Sequence, residues 1–139
     1  MLPRPRAQLA GCCWLPRFAD KARRIETGAL PPDYAARFCA PDSVDFYFLQ
    51  HFGLAKEVAI QGATACRTEK ELAAWFSSLP GVDADRIAAW NTAAERLGQP
   101  GQPMEERFRS VLASTYAHLD HRRIRSIFDV IEADEAGGT

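Results

Sequence analysis

The chain has 139 residues, with 47% hydrophobic and 25% charged residues and a formal net charge of −1. Those are ordinary globular values, enough to bury a core without disulfides. Near-neutral charge argues against bulk attraction to nucleic acid or a membrane surface, and no apolar run approaches the ~20 residues of a membrane span.

The charge is unevenly placed. Residues 1–24 carry Arg4, Arg6, Arg17, Lys21, Arg23 and Arg24 against Asp20 alone, a balance of +5, while the remainder is acidic at −6. Met1–Cys13 reads as an irregular arm, because Pro3 and Pro5 oppose helix.

Leu15–Gly28 is the cleanest amphipathic helix. At about 100° per residue, Leu15, Phe18, Ala19, Ala22 and Ile25 share one arc, and Arg17, Asp20, Lys21 and Arg24 the opposite one. Pro16 suits the first turn, and Gly28 suits the left-handed residue that ends a helix. The charged arc is expected to be wet. It is either a solvated face or an anion-binding face built from Arg17, Lys21 and Arg24, with Asp20 orienting a guanidinium.

Ala29–Asp42 reads as a loop broken by Pro31, Pro32 and Pro41, pinned by Tyr34, Phe38 and Cys39. Ser43–Phe52 follows as a helix capped by Asp42 or Ser43. Val44, Phe48, Leu49 and Phe52 line one side, while Phe46 and Tyr47 point elsewhere. That makes it a central helix or one with a second partner, for which a homodimer through Phe46 and Tyr47 is the alternative. Leu54–Gln61 adds a turn or two.

Thr68 and Glu71 form a capping box for a helix to about Ser78, burying Leu72, Trp75 and Phe76. Asp83 caps a helix over about Ala84–Leu97, with Ile87, Trp90, Ala94 and Leu97 inward. Pro103 opens the next helix, along which Phe108, Val111, Leu112, Thr115, Tyr116 and Leu119 form one stripe at helical spacing. Ile124, Ile127, Phe128 and Ile131 form a second stripe displaced by roughly 150°. One straight helix cannot bury both, so a break belongs near Leu119–His121, with Asp120 capping a last helix over about His121–Ala133. The expected architecture is all-α, a single compact domain of five to seven packed helices over residues 14–135, followed by a frayed tail at 136–139. Its core is expected at Phe48, Phe52, Trp75, Phe76, Trp90, Phe108, Leu112, Ile127 and Phe128.

Most chemical motifs are missing. There is no P-loop, dinucleotide fingerprint or nucleophile elbow. His118 and His121 have a ligand-like spacing, but the helix break falls between them and Arg122, Arg123 and Arg125 oppose a cation, so no metal is expected. Cys39 with His51 is the one thiol–imidazole pair to consider as a nucleophile. Asp42 and Asp45 read as helix-start residues. Cys12, Cys13, Cys39 and Cys66 lack a Cys-x-x-Cys spacing, which suits reduced, cytoplasmic thiols. The basic run His121–Arg125 is short and is followed by acids, which argues against nucleic acid.

Leu15-Pro16-Arg17, Asp20-Lys21 and Arg23 resemble the Leu-Pro-Arg-x-x-Asp-Lys-x-Arg signature of an uncharacterised bacterial family, Domain of Unknown Function five-zero-six-nine. Tyr34, Cys39, Pro41, Asp42, Phe46, Phe48, Phe52-Gly53, Leu72, Trp75, Phe128-Asp129 and Asp134-Glu135 fit in order. The resemblance implies a coherent fold and a bacterial, cytoplasmic origin. It implies no reaction and no cofactor.

The leading expectation is therefore a non-catalytic binding or protein-interaction domain. Its ligand site would be Arg17, Asp20, Lys21 and Arg24 with Asp42 from the loop, facing an anionic small molecule or an acidic protein surface. The alternatives are a small cytosolic enzyme using Asp20 and Lys21 on an anionic substrate, and a structural homo-oligomer.

Overall fold

A computed structural model describes residues 1–137. The chain is predominantly helical, as its periodicity requires. Among the described residues are eight α-helices, one 3₁₀ turn and a two-stranded ribbon. No helix among them is long and apolar enough to cross a membrane. The chain divides into two compact units, Met1–Asn91 and the residues from Thr92 onward.

The first unit opens with a feature that the prolines of the arm concealed. Strands β1 (Gln8–Leu9) and β2 (Cys12–Cys13) pair antiparallel, Gln8 opposite Cys13 and Leu9 opposite Cys12. The turn between them, Ala10–Gly11, has positive φ at both residues, as a type I′ hairpin turn demands. Helix α1 spans Leu15–Thr27 and stops at Gly28, whose φ is 71°. Two further helices are α2 (Pro32–Arg37), in the stretch read as loop, and α3 (Val44–Phe52). Pro32 takes a first-turn position, which costs no hydrogen bond. Ser43 caps α3 by accepting from the Phe46 N–H at 3.1 Å.

Helix α4 (Lys56–Ala65) is longer than its sequence suggests, and α5 (Glu69–Ser77) begins at the expected capping box. Thr68 accepts from the Glu71 N–H, and the Glu71 carboxylate reaches back to the Arg67 N–H. Helix α6 (Ala84–Arg96) is capped by Asp83. Phe48 is the hub of the core: its ring lies 5.5 Å from Phe18, 5.4 Å from Phe52, 6.2 Å from Phe76 and 5.4 Å from Trp90. Trp90 Nε1 donates to the Cys13 carbonyl, while Asn91 accepts from the Cys13 N–H and donates to the Gly11 carbonyl. These three bonds tie the ribbon to α6. Trp75, expected in the core, is half-buried. It lies over Gly62 of α4, where an added Cβ would fall 2.2 Å from its ring.

The second unit contains α7 (Glu105–Ala113), a 3₁₀ turn at His121–Arg123 and α8 (Ile127–Gly137). Leu97, Ile124, Ile127 and Phe128 are buried. The Ile127 N–H donates to the Leu97 carbonyl, and Gly98 is packed against Ile127 and Phe108. Helix α7 ends six residues before Leu119, so Phe108 and Leu112 are half-buried and not core residues. The break therefore comes earlier than the periodicity indicates. Asp120 does cap, accepting from the Arg122 N–H, but it caps the 3₁₀ turn. Helix α8 starts later and continues past Ala133 to Gly137. The tail expected at 136–139 falls partly outside the described residues.

Candidate functional site

The chemistry of the first unit converges on Asp45. This carboxylate sits in the first turn of α3 and is 1% exposed. Its Oδ1 accepts from Trp14 Nε1 at 2.8 Å and from Lys21 Nζ at 2.8 Å. Its Oδ2 accepts from Lys21 Nζ at 2.8 Å and from the Cys39 N–H at 3.1 Å. A buried carboxylate without such partners would be prohibitively costly. Here four hydrogen bonds and one full opposite charge compensate it.

Two backbone outliers aim those donors. Trp14, at the N-terminal cap of α1, has φ 72° and Cys39 has φ 58°. Both are left-handed conformations that non-glycine residues adopt rarely, and they persist only where surrounding contacts hold them. In each case the residue so held donates to Asp45.

Lys21 is 6% exposed. Its Nζ lies 4.6 Å from the Trp14 ring centroid and 5.6 Å from that of Phe38, a distance at which an ammonium is attracted to the ring face. Burial lowers the Lys21 pKa from its usual value, Asp45 opposes that shift, and the Arg17 guanidinium reinforces it. Burial and the Asp45 charge push the Cys39 thiol up to about 12. Cys39 is therefore a neutral thiol near physiological pH and a poor nucleophile.

Arg17 is also buried, at 3% exposure. Its guanidinium lies 5.4 Å from the Trp14 ring and 5.9 Å from Tyr34, and Nη1 donates to the Pro3 carbonyl at 3.0 Å. The charged arc of α1 is thus not uniformly wet. Counting about 100° per residue, the buried residues Leu15, Arg17, Phe18, Ala19, Lys21 and Ala22 cover an arc of roughly 200°. The arm and the Trp14–Phe38 cleft cover the side that polarity alone assigns to water.

The expected ligand residues are consequently split. Asp20 and Arg24 remain together at the half-buried edge, Arg24 Nε donating to Asp20 Oδ2 at 3.1 Å and Arg24 Nη2 to the Met1 carbonyl at 3.2 Å. Lys21 turns inward to Asp45. Asp42 accepts from the Tyr47 hydroxyl through Oδ1 and from Arg37 through its carbonyl. His51 Nε2 is 2.8 Å from the Arg86 carbonyl and its ring packs on Phe52 and Trp90, whereas Cys39 sits beside Asp45. His121 Nε2 is 3.0 Å from the Tyr116 carbonyl. Among the described residues no group of three His, Cys, Asp or Glu side chains is placed to hold a metal ion. A groove of about 460 Å³, lined by Ala10, Gly11, Asp83, Ile87 and Asn91 among others, lies apart from the expected ligand residues.

Asp45 and Trp14 are the residues that sequence reasoning passed over. Asp45 looks like any first-turn acid. The available signal was that α3 is apolar on nearly every side, so a carboxylate within it needed a partner.

The chain belongs to the family described as Domain of unknown function (DUF5069), whose model matches residues 1–137. No curated protein and no solved structure matches it.

Proposed function

We infer that this chain is a non-catalytic binding domain whose α1 edge, formed by Arg24 and Asp20, takes an anionic ligand. The ligand class is a phosphorylated or carboxylated small molecule, or an acidic protein surface. The observation that carries the reading is the setting of Arg24. Asp20 fixes its Nε, and Nη2 faces only a backbone carbonyl at Met1. Carboxylate and phosphate oxygens are stronger acceptors for guanidinium than neutral carbonyls, so an arriving anion competes on favourable terms.

The Lys21–Asp45 contact favours binding over catalysis. An ammonium bonded to both oxygens of a buried carboxylate is engaged in holding α1 to α3. An enzyme using Asp20 and Lys21 has less support, because the two side chains diverge to different partners. The same reading places the chain in a bacterial cytoplasm, which its four free thiols suit.

Thermal melts with inorganic phosphate and with citrate test the site. Either anion should raise the melting temperature of the wild type, and Arg24→Ala should abolish the rise. Lys21→Ala is unsuited to this purpose, because it strands Asp45. No rise in the wild type, or an equal rise in Arg24→Ala, rejects the reading.

A second reading, a homodimer through Phe46 and Tyr47, draws on the 38% exposure of Phe46 and its edge-on contact with Tyr47 at 5.2 Å. Light scattering that finds a monomer at every concentration removes it.

A further inference from the structure

The arm ahead of the ribbon reaches the edge of α1 at which Arg24 lies. Strand β1 packs on α1, and the turn before it is anchored. Pro5 is fully buried, its carbonyl accepts from the Trp14 N–H at 3.1 Å, and the Ala7 N–H donates to the Arg4 carbonyl at 3.1 Å. Ahead of that turn the hold is different in kind. Pro3 and Pro5 have no N–H, so this stretch cannot extend the ribbon as a regular strand. It offers carbonyls instead, and two of them meet arginines of α1.

The two contacts differ in depth. Arg17, 3% exposed, donates from Nη1 to the Pro3 carbonyl at 3.0 Å. Arg24 donates from Nη2 to the Met1 carbonyl at 3.2 Å, in an exposed contact, and its side chain is 32% exposed. Between the two carbonyls Leu2 is buried, whereas Met1 is 86% exposed. The Met1 carbonyl belongs to the planar peptide that leads into Leu2. It therefore cannot leave Arg24 without turning the backbone at Leu2.

We propose that Met1–Leu2 is an autoinhibitory latch on the anion-binding edge of α1, a regulation that rests on the reading of that edge as an anion site. Pro3, clasped by the buried Arg17, is the pivot. Closed, the Met1 carbonyl occupies Arg24 Nη2 in place of a ligand oxygen, and the burial of Leu2 sets how firmly the latch is shut. Opening swings Met1 and Leu2 away, and Arg24 Nη2 turns to the anion while Asp20 keeps its Nε in place. Carboxylate and phosphate oxygens outcompete a neutral carbonyl for guanidinium. The closed fraction lowers the apparent affinity for every anion alike, and loosening the latch restores it.

Two measurements on the full chain test the latch. The first is alkylation of a Leu2→Cys chain by iodoacetamide, resolved by site with mass spectrometry. The introduced thiol should react slowly alone and faster as citrate is added. Without citrate, Arg24→Ala in the same chain should also speed the reaction several-fold, because the Met1 carbonyl loses a charged donor. The second is calorimetric titration with citrate. Leu2→Ser should bind about threefold or more tightly than the wild type, since weaker closure leaves more of the binding-competent state. Adding Arg24→Ala should abolish that binding while the circular dichroism spectrum is retained. The latch is overturned, with the anion site intact, if the wild type binds citrate but Leu2→Ser binds no more tightly. An alkylation rate that neither citrate nor Arg24→Ala changes overturns it as well. Citrate binding by neither the wild type nor Leu2→Ser overturns the anion site itself, and the latch with it.

Discussion

Lys21 Nζ lies 2.8 Å from each carboxylate oxygen of Asp45, and the two side chains are 8% and 2% exposed. This pair joins the first helix to the third across a span of 24 residues of sequence. Trp14 and the backbone of Cys39 complete the cluster from two further segments. Its energetic character follows from burial. Two charges withdrawn from water contribute little net stability as a pair, but each becomes costly when the other is removed.

Lys21→Met should therefore destabilise the fold by ~3–5 kcal/mol, because it leaves the Asp45 carboxylate buried and uncompensated. Asp45→Asn keeps an acceptor for only one of Trp14 Nε1 and the Cys39 N–H, sets an amide donor against the other and strands the ammonium, and should cost at least a comparable amount. The double variant should cost clearly less than the sum, with a coupling of at least ~1 kcal/mol. Urea unfolding of the four proteins measures it. Strict additivity would show that the pair is not coupled.

The Cys39 thiol makes stability fall at alkaline pH. Its folded-state pKa is pushed up to about 12 from the usual thiol value of 9.0. The unfolded chain therefore loses this proton first, and over that window the folded state binds more protons. Stability then declines as pH rises. Cys39→Ser removes this contribution. The stability of the wild type relative to Cys39→Ser should be constant below pH 9 and should fall on the way to 12, read by urea melts at matched pH. A flat difference across the window would show that the thiol is not held neutral by its surroundings.

Gly62 faces Trp75 with no room for a methyl group. Alanine is normally preferred to glycine inside a helix by ~1 kcal/mol, so the sign of Gly62→Ala is informative. Overpacking predicts a loss of ~1–3 kcal/mol, and in a Trp75→Ala background that loss should disappear. Thermal melts of the cycle decide the matter. A Gly62→Ala protein more stable than the wild type would contradict the packing of α4 against the Trp75 ring.

The helical class and most helix positions were legible in the order of residues. Gly28 and Gly53 end α1 and α3 in left-handed conformations, and Ser43, Thr68 and Asp83 open α3, α5 and α6. The core aromatics Phe48, Phe52, Phe76 and Trp90 were legible as well, through spacing at the helical period. The ribbon was not, since two strands of two residues carry no readable alternation. Helix α2 was hidden by the prolines that flank and start it. The end of α7 at Ala113 was also hidden, because an apolar stripe reports where a helix can be buried and not whether a neighbour is there to bury it.

Sequence by itself determined what is local. Caps, helix stops and apolar periods act between residues a few positions apart, so their outcome is written in the neighbourhood of each residue. Only the tertiary structure decided which charges would be buried. Arg17 and Lys21 share an arc with Asp20 and Arg24, and nothing in their own neighbourhood separates the four. They separate because Trp14 and Cys39 adopt left-handed backbone and, with Phe38, build a dry pocket around Asp45. The burial of an ion pair depends on every group that meets it through space, and those groups come from four different segments of the chain.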